Sequence, residues 1–368
     1  MVRKEILERR VSEFQRLMRQ KDVDTSMIRT LSSFTYFSGM KWLRPALLIP
    51  SDGDPIAFIF KYEAKEFVEK GWIGEVRMYS RAEELMKEVS ATIRTAGYKK
   101  VGFDYSVERD SYVLFFELFR RLNPQIEIVN VHPLIMQLRM IKDEGEVEAI
   151  RNASRIAEIG MKKAIEAVEV GKTELEVAAE AICEMMKRGS ESPHIYVTTG
   201  PKPRVHAEPR SWVKINPNDT VQIVVAADYD GYYSNLTRTV FLGELSSERR
   251  KAFETSIEIH DEAEKNLKEG VRLIDIEISL RDILRERGYG NYYVTGFTHG
   301  VGLLIEEDPI TTIVVPHRQY RVKQNMVLAS VHAPLTLPDI GTIKFEDTYV
   351  VRAERAERLT KFDYEITK

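Results

Sequence analysis

One stretch of the chain carries more chemistry than a sheet interior normally tolerates. Between Tyr232 and Val240 the residues alternate in strand fashion, yet they include Ser234, Asn235, Thr237 and Arg238. A hydroxyl, amide or guanidinium taken out of water needs a partner. A sheet face of this composition therefore lines a site, or else it is the polar edge of an ordinary hairpin. On these residues alone the two readings are even. The acids next to the stretch, Asp228 and Asp230, belong to turn chemistry. Four histidines give no functional signal: His132, His194 and His317 each sit beside a proline, and His260 lies on a charged helical run.

The polar stretch has a clear scaffold. Val221–Ala227 is apolar on both alternating faces, as a strand buried on both sides must be. Asp228-Tyr229-Asp230-Gly231 then supplies a turn in which glycine takes a positive φ. The two runs thus form a hairpin that returns the polar face beside a buried strand.

The rest of the chain bounds the possibilities. Its 368 residues suggest two domains. Apolar content of 43% is ample for a core, and no run is long enough to span a bilayer. The opening MVRKEILERR lacks the apolar region of a signal peptide. The single cysteine, Cys183, cannot form an internal disulfide, which fits a reducing cytoplasm. It lies in an apolar helical run and is expected to be a buried, inert thiol. A net charge of −3 makes no case for nucleic acid.

Apolar spacing predicts a helix over Arg3–Lys21. Strands are expected at Ser32–Gly39, Ala46–Pro50, Ala57–Lys61, Lys99–Asp104 and Ile126–Val131, with helices over Glu83–Ala96 and Ser111–Leu122. This is an α/β layer pattern without a phosphate loop or a glycine fingerprint. After Pro133–Lys142 a long helix is predicted over Asp143–Val170, its acidic start favoured by the helix dipole. Gly171 ends it, and Thr173 with Glu176 forms a capping box for the next helix.

The order of blocks then becomes specific. It runs GKTELEVAAE (171–180), PHIYVTTGPKPRVHAEP (193–209), NDTVQIVVAADYDGYYSNLTRTVFLGE (218–244), GYGNYYVTGFTHGVGL (288–303), EEDP (306–309), NMVLASVHAP (325–334) and IKFEDTYVV (343–351). LRMIKDEGEVEAIRNA (138–153) precedes them, and TYFSGMKW (35–42) and ALLIPSDGDP (46–55) lie further upstream. The series strongly resembles the creatinase / aminopeptidase P / proline dipeptidase family over almost the whole chain. The resemblance implies an α/β (α+β) fold: an N-terminal creatinase-like α/β domain over residues 1–132 and a C-terminal pita-bread domain over 133–368. It also implies a homodimer.

Peptidases of that family bind two divalent ions, commonly Mn, Co or Zn, through two aspartates, one histidine and two glutamates. Here the corresponding positions are Val224, Asn235, His299, Val331 and Glu346. Three of the five are substituted, and one carboxylate stands where two dications need about four anionic ligands. No cofactor is therefore expected beyond at most one weakly bound divalent metal at the remnant positions Asn235, His299 and Glu346. By resemblance, His206, Glu306 and Glu307 are the catalytic candidates, and Arg238 and His332 the substrate-binding ones. Strand alternation nonetheless turns His332 to the face opposite Val331. Whether the chain is an enzyme stays open. The leading reading is a non-catalytic family member that binds a small molecule or short peptide in the cleft. The next is a metal-independent, creatinase-like C–N hydrolase using His206, and the third an active Xaa-Pro peptidase.

Overall fold

The computed structural model describes residues 3–201, 204, 207–332, 335–364 and 367–368. The chain divides into two compact units, Met1–Arg139 and Met140–Lys368, a join seven residues beyond the expected 132/133.

The first unit runs α1 (Lys4–Arg19), β1 (Thr25–Ile28), α2 (Leu31–Ser38), β2 (Leu47–Pro50), β3 (Ile56–Phe60), α3 (Ala64–Lys70), β4 (Glu75–Tyr79), α4 (Ala82–Thr95), β5 (Lys100–Phe103), α5 (Asp110–Leu122), β6 (Glu127–Asn130) and α6 (His132–Arg139). The strands form one mixed sheet in the order β4-β3-β2-β1-β5-β6. β1 lies parallel to β5 and antiparallel to β2. A cluster of Met27, Phe58, Val89, Ile93, Val101 and Phe119 packs α4 and α5 on the sheet.

One expectation fails here. Ser32–Gly39 is not a strand but the helix α2, with seven of its eight residues buried. Full burial removes the polar face that marks a helix in sequence. The signals that start and stop the helix are tertiary and local respectively. The Glu108 carboxylate accepts the Leu31 and Ser32 amides at its first turn, and Gly39 closes it at φ 73°. The sequence reading also passed over β1, α3 and β4.

The second unit continues with α7 (Glu144–Ala167), α8 (Glu174–Lys187), β7 (His194–Thr199), β8 (Thr220–Tyr229), β9 (Tyr232–Phe241), α9 (Ser247–Asn266), α10 (Leu273–Glu286), β10 (Thr298–Gly300), β11 (Glu307–Ile310), β12 (Val327–Ser330), β13 (Leu335–Leu337), β14 (Gly341–Ile343), β15 (Asp347–Val351) and β16 (Ala356–Arg358). The predicted capping box opens α8, and a second one, not predicted, opens α7. Asp143 and Glu146 exchange backbone bonds at the start of α7, and Thr173 and Glu176 do so at α8.

Two antiparallel sheets, β7-β8-β9 and β11-β10-β12-β15-β16, carry this unit. The hairpin β8–β9 turns through Asp230 and Gly231, both at positive φ, with Tyr229 opposite Tyr232. That is the two-residue turn whose twist matches paired strands. Val221, Ile223, Val225, Ala227, Leu236 and Val240 face α7 and α8 in one apolar cluster. α9 and α10 join Phe297, Leu328, Val331, Phe345 and Tyr349 in a second.

Cys183 departs from expectation. The buried stripe of α8 is Val177, Ala178, Ala181 and Met185, so position 183 falls on the outer face, and its thiol is exposed.

Candidate functional site

The alternate residues Val224, Ala226, Asn235 and Thr237 share one face of the β8–β9 hairpin, because Val224 lies opposite Thr237 and Ala226 opposite Asn235. This face meets the second sheet through a Thr237–Glu346 bridge. His299 comes from β10, paired with Ala329 of β12. Lys344 and Glu346 precede β15, and their two-residue spacing puts both side chains on one side.

These elements assemble a buried polar cluster. The Glu346 carboxylate accepts from Thr237 Oγ1 at 2.7 Å, contacts His332 Nδ1 at 2.8 Å, and lies 2.9 Å from the Lys344 ammonium. The side chains of Lys344 and Glu346 are 0% and 1% exposed. His299 directs Nδ1 to the Gly300 carbonyl at 2.9 Å, which leaves Nε2 facing His332 Nδ1 at 3.1 Å and Asn235 at 3.4 Å. Glu306 flanks His332 Nε2 at 3.7 Å and, with its side chain 34% exposed, forms the solvent edge of the group.

Charge follows from these contacts. Burial opposes ionisation of Glu346, but Lys344 and His332 outweigh it and hold the carboxyl well below the usual carboxylate range. Burial lowers the affinity of Lys344 for its proton, and Glu346 works against that loss. Burial, with the Lys344 charge beside it, pushes His332 down to about 4, so its imidazole is neutral at pH 7. Burial also works against a charged His299, but Glu346 and Glu306 prevail, and it titrates above its ordinary value.

The expected residues sort into three groups. Asn235, His299 and Glu346 come together as predicted, and so does Glu306. His332 joins them, contrary to the alternation argument. β12 ends at Ser330, and the His332 amide donates to the Phe297 carbonyl, so strand periodicity no longer governs its direction. Val331 instead packs into the apolar core. Glu307 and Arg238 do not face the cluster as reactive groups. Glu307 pairs with Lys142 at 2.7 Å, both nearly free of solvent. Arg238, 0% exposed, holds Asp347 and the carbonyls of Thr237, Glu346, Phe362 and Asp363. Its bonds are spent inside the protein, which is the geometry of a structural cation rather than one that meets substrate. His206 lies outside the described residues. Sequence reasoning missed Lys344. Its place two residues before Glu346 was the available signal, since residues at that spacing share a strand face.

The donor set does not fit two dications. Val224 offers no lone pair, Val331 faces the core, and the Lys344 ammonium already neutralises Glu346. Among the described residues, His299, Glu306 and His332 can each place one ligand atom within 4.8 Å of the others. The buried Asn235 Oδ1 lacks a hydrogen-bond partner among them.

The fold is that of a pita-bread unit following, in chain order, a creatinase-like domain, and the comparisons agree. Residues 148–353 match the model of metallopeptidase family M24, and residues 10–141 match the creatinase/prolidase N-terminal domain. The chain belongs to this metallopeptidase family. It is 26% identical over 362 residues to the Xaa-Pro dipeptidase of Pyrococcus furiosus, spanning 98% of this chain and 100% of the relative. The prolidase structure from Pyrococcus horikoshii superposes with a TM-score of 0.85 at 26% identity, covering 97% and 99% of the two chains. That of the Thermococcus sibiricus prolidase gives 0.88 at 26% identity, with 98% of each covered. Among the described residues no helix is long and apolar enough to cross a membrane.

Proposed function

We propose that this chain is a family member without the two-metal hydrolytic centre, which binds a small molecule or short peptide where its relatives bind substrate. The observation that carries the reading is the Lys344 ammonium on Glu346. A cation fixed in the chain takes the role of a mobile one, and a second positive charge beside it is repelled. The remaining acidic edge, Glu306, favours a ligand with a cationic group. The reading includes a cytoplasmic homodimer that takes up at most one weakly held divalent ion.

The test combines metal content after incubation with excess Co²⁺, Mn²⁺ or Zn²⁺ and hydrolysis of an Xaa-Pro dipeptide. The expected result is no turnover and fewer than two tightly held ions per chain. Two tight ions with turnover would return the chain to the peptidases.

A second reading draws on Glu306 and His332, a carboxylate and a neutral imidazole at the solvent edge of the cluster. Such a pair supports metal-independent C–N hydrolysis by general acid/base transfer, with His206 as the further acid/base group. It requires activity on a guanidinium-type substrate that survives chelators and disappears in His206→Ala.

A further inference from the structure

The first unit contains a cavity of about 220 Å³ with no part in the site above. It opens beyond the carboxyl ends of the parallel neighbours β1 and β5, where ligands collect in open α/β sheets. Its walls are Met27, Phe103, Val113 and Phe116, and its lip includes Tyr105 and Val107, which are 50% and 68% exposed.

Two polar groups in this largely apolar lining have hydrogen-bonding capacity left unused among the described residues. The guanidinium of Arg29 lies 4.4 Å over the Phe115 ring, and its Nε and Nη1 are buried without a hydrogen-bond partner among the described residues. The hydroxyl of Tyr112, a residue 8% exposed, is buried, with only the Leu31 backbone as a weak neighbouring donor and no acceptor for its own proton among the described residues. Burial lowers the proton affinity of Arg29, and the groups that counter this are two tyrosines, Tyr79 and Tyr112, rather than a carboxylate. Asp104 itself lines the cavity and Glu108 lies close by, but both carboxylates are committed elsewhere. Asp104 accepts from Thr30, Ser33 and the Ser106 amide and contacts His132. Glu108 is held by the first turn of α2 through Leu31 and Ser32. Arg29 keeps part of its surface in contact with solvent, but two of its guanidinium N–H groups are buried without an acceptor, and an incoming anion would supply one.

We infer that this cavity is a binding site for a small monocarboxylate with an apolar tail, its carboxylate seated on Arg29 and Tyr112 and its tail against Met27, Phe103 and Phe116. One guanidinium neutralises one negative charge, which selects a carboxylate over a phosphate dianion. The volume equals about seven waters of liquid, the scale of a phenylalkanoate.

The experiment titrates the full chain with 3-phenylpropanoate, 3-phenylpropanamide and inorganic phosphate, by calorimetry and by saturation-transfer NMR. The acid is expected to bind one per chain, while the amide and phosphate fail. Arg29→Met should weaken the acid about tenfold or more, and Tyr112→Phe about fivefold. Arg29→Met should stay folded, because it keeps the apolar stem and discards a guanidinium with two unbonded buried N–H groups. No binding of the acid, equal binding of the amide, or displacement by phosphate overturns the assignment. So does a Tyr112→Phe protein that binds like the parent while Arg29→Met either binds normally or fails to fold.

Discussion

Replacing Lys344 by methionine tests the central physical claim about the cluster. The ammonium and the Glu346 carboxylate are 2.9 Å apart and out of water. At an effective dielectric of 20 their attraction is about 6 kcal/mol. Desolvation of both ions offsets much of it, but removing one partner leaves the other buried and unpaired, which costs about 3–5 kcal/mol. At about 2–4 °C per kcal/mol for a unit of this size, Lys344→Met should melt the second unit roughly 10 °C lower. Glu346→Gln in that background should recover a large part of the loss, because the unpaired charge is gone. The assay is urea and thermal denaturation of the two single variants and the double variant at pH 7, closed as a double-mutant cycle. Divalent ions provide a second readout. Mn²⁺ should raise the melting temperature of Lys344→Met more than that of the parent, since it can take the vacated place on Glu346. A loss below about 1 kcal/mol in Lys344→Met, or a coupling energy below about 0.5 kcal/mol, would refute the reasoning.

Three further outcomes are expected. Lys142→Met should destabilise the second unit by about 2–4 kcal/mol because it removes the ammonium 2.7 Å from the buried Glu307 carboxylate, and urea unfolding of Lys142→Met with and without Glu307→Gln measures it. Burial opposes ionisation of Asp104, but bonds from His132 and Ser33 prevail and set its carboxyl below the ordinary value. Its stabilising contribution is therefore complete above the unfolded value near pH 4 and fades as pH falls through the lower, folded one. Asp104→Asn should be less stable than the parent at pH 7, with the gap narrowing in acid denaturation. Cys183, exposed on α8, should react with a thiol reagent in the native state at one equivalent per chain. A thiol that reacts only after unfolding would contradict its placement.

Much of this molecule is written in local pattern. The β8–β9 hairpin was legible because its turn chemistry and its apolar runs are adjacent in the chain. The capping box of α8 is likewise a sentence of four residues. The order of blocks identified the family, and position counting placed Val224 and Asn235 on the site face without coordinates. The α2 helix was not legible, because the group that receives its first amides, Glu108, lies about 76 residues away and its burial erased the helical period. His332 was misdirected because alternation holds only while a strand lasts, and β12 stops two residues before it. Lys344 and Lys142 are of a type that composition assigns to the surface, and Arg238 was read onto a site-lining face. Only the assembled sheets reveal that each is buried with a carboxylate, since ion pairing inside a protein depends on which distant segments share a low-dielectric space. Sequence thus determined most of the elements and the residue types at the family's ligand positions. The tertiary structure decided which charges neutralise one another, and so which of the remaining polar groups still face a ligand.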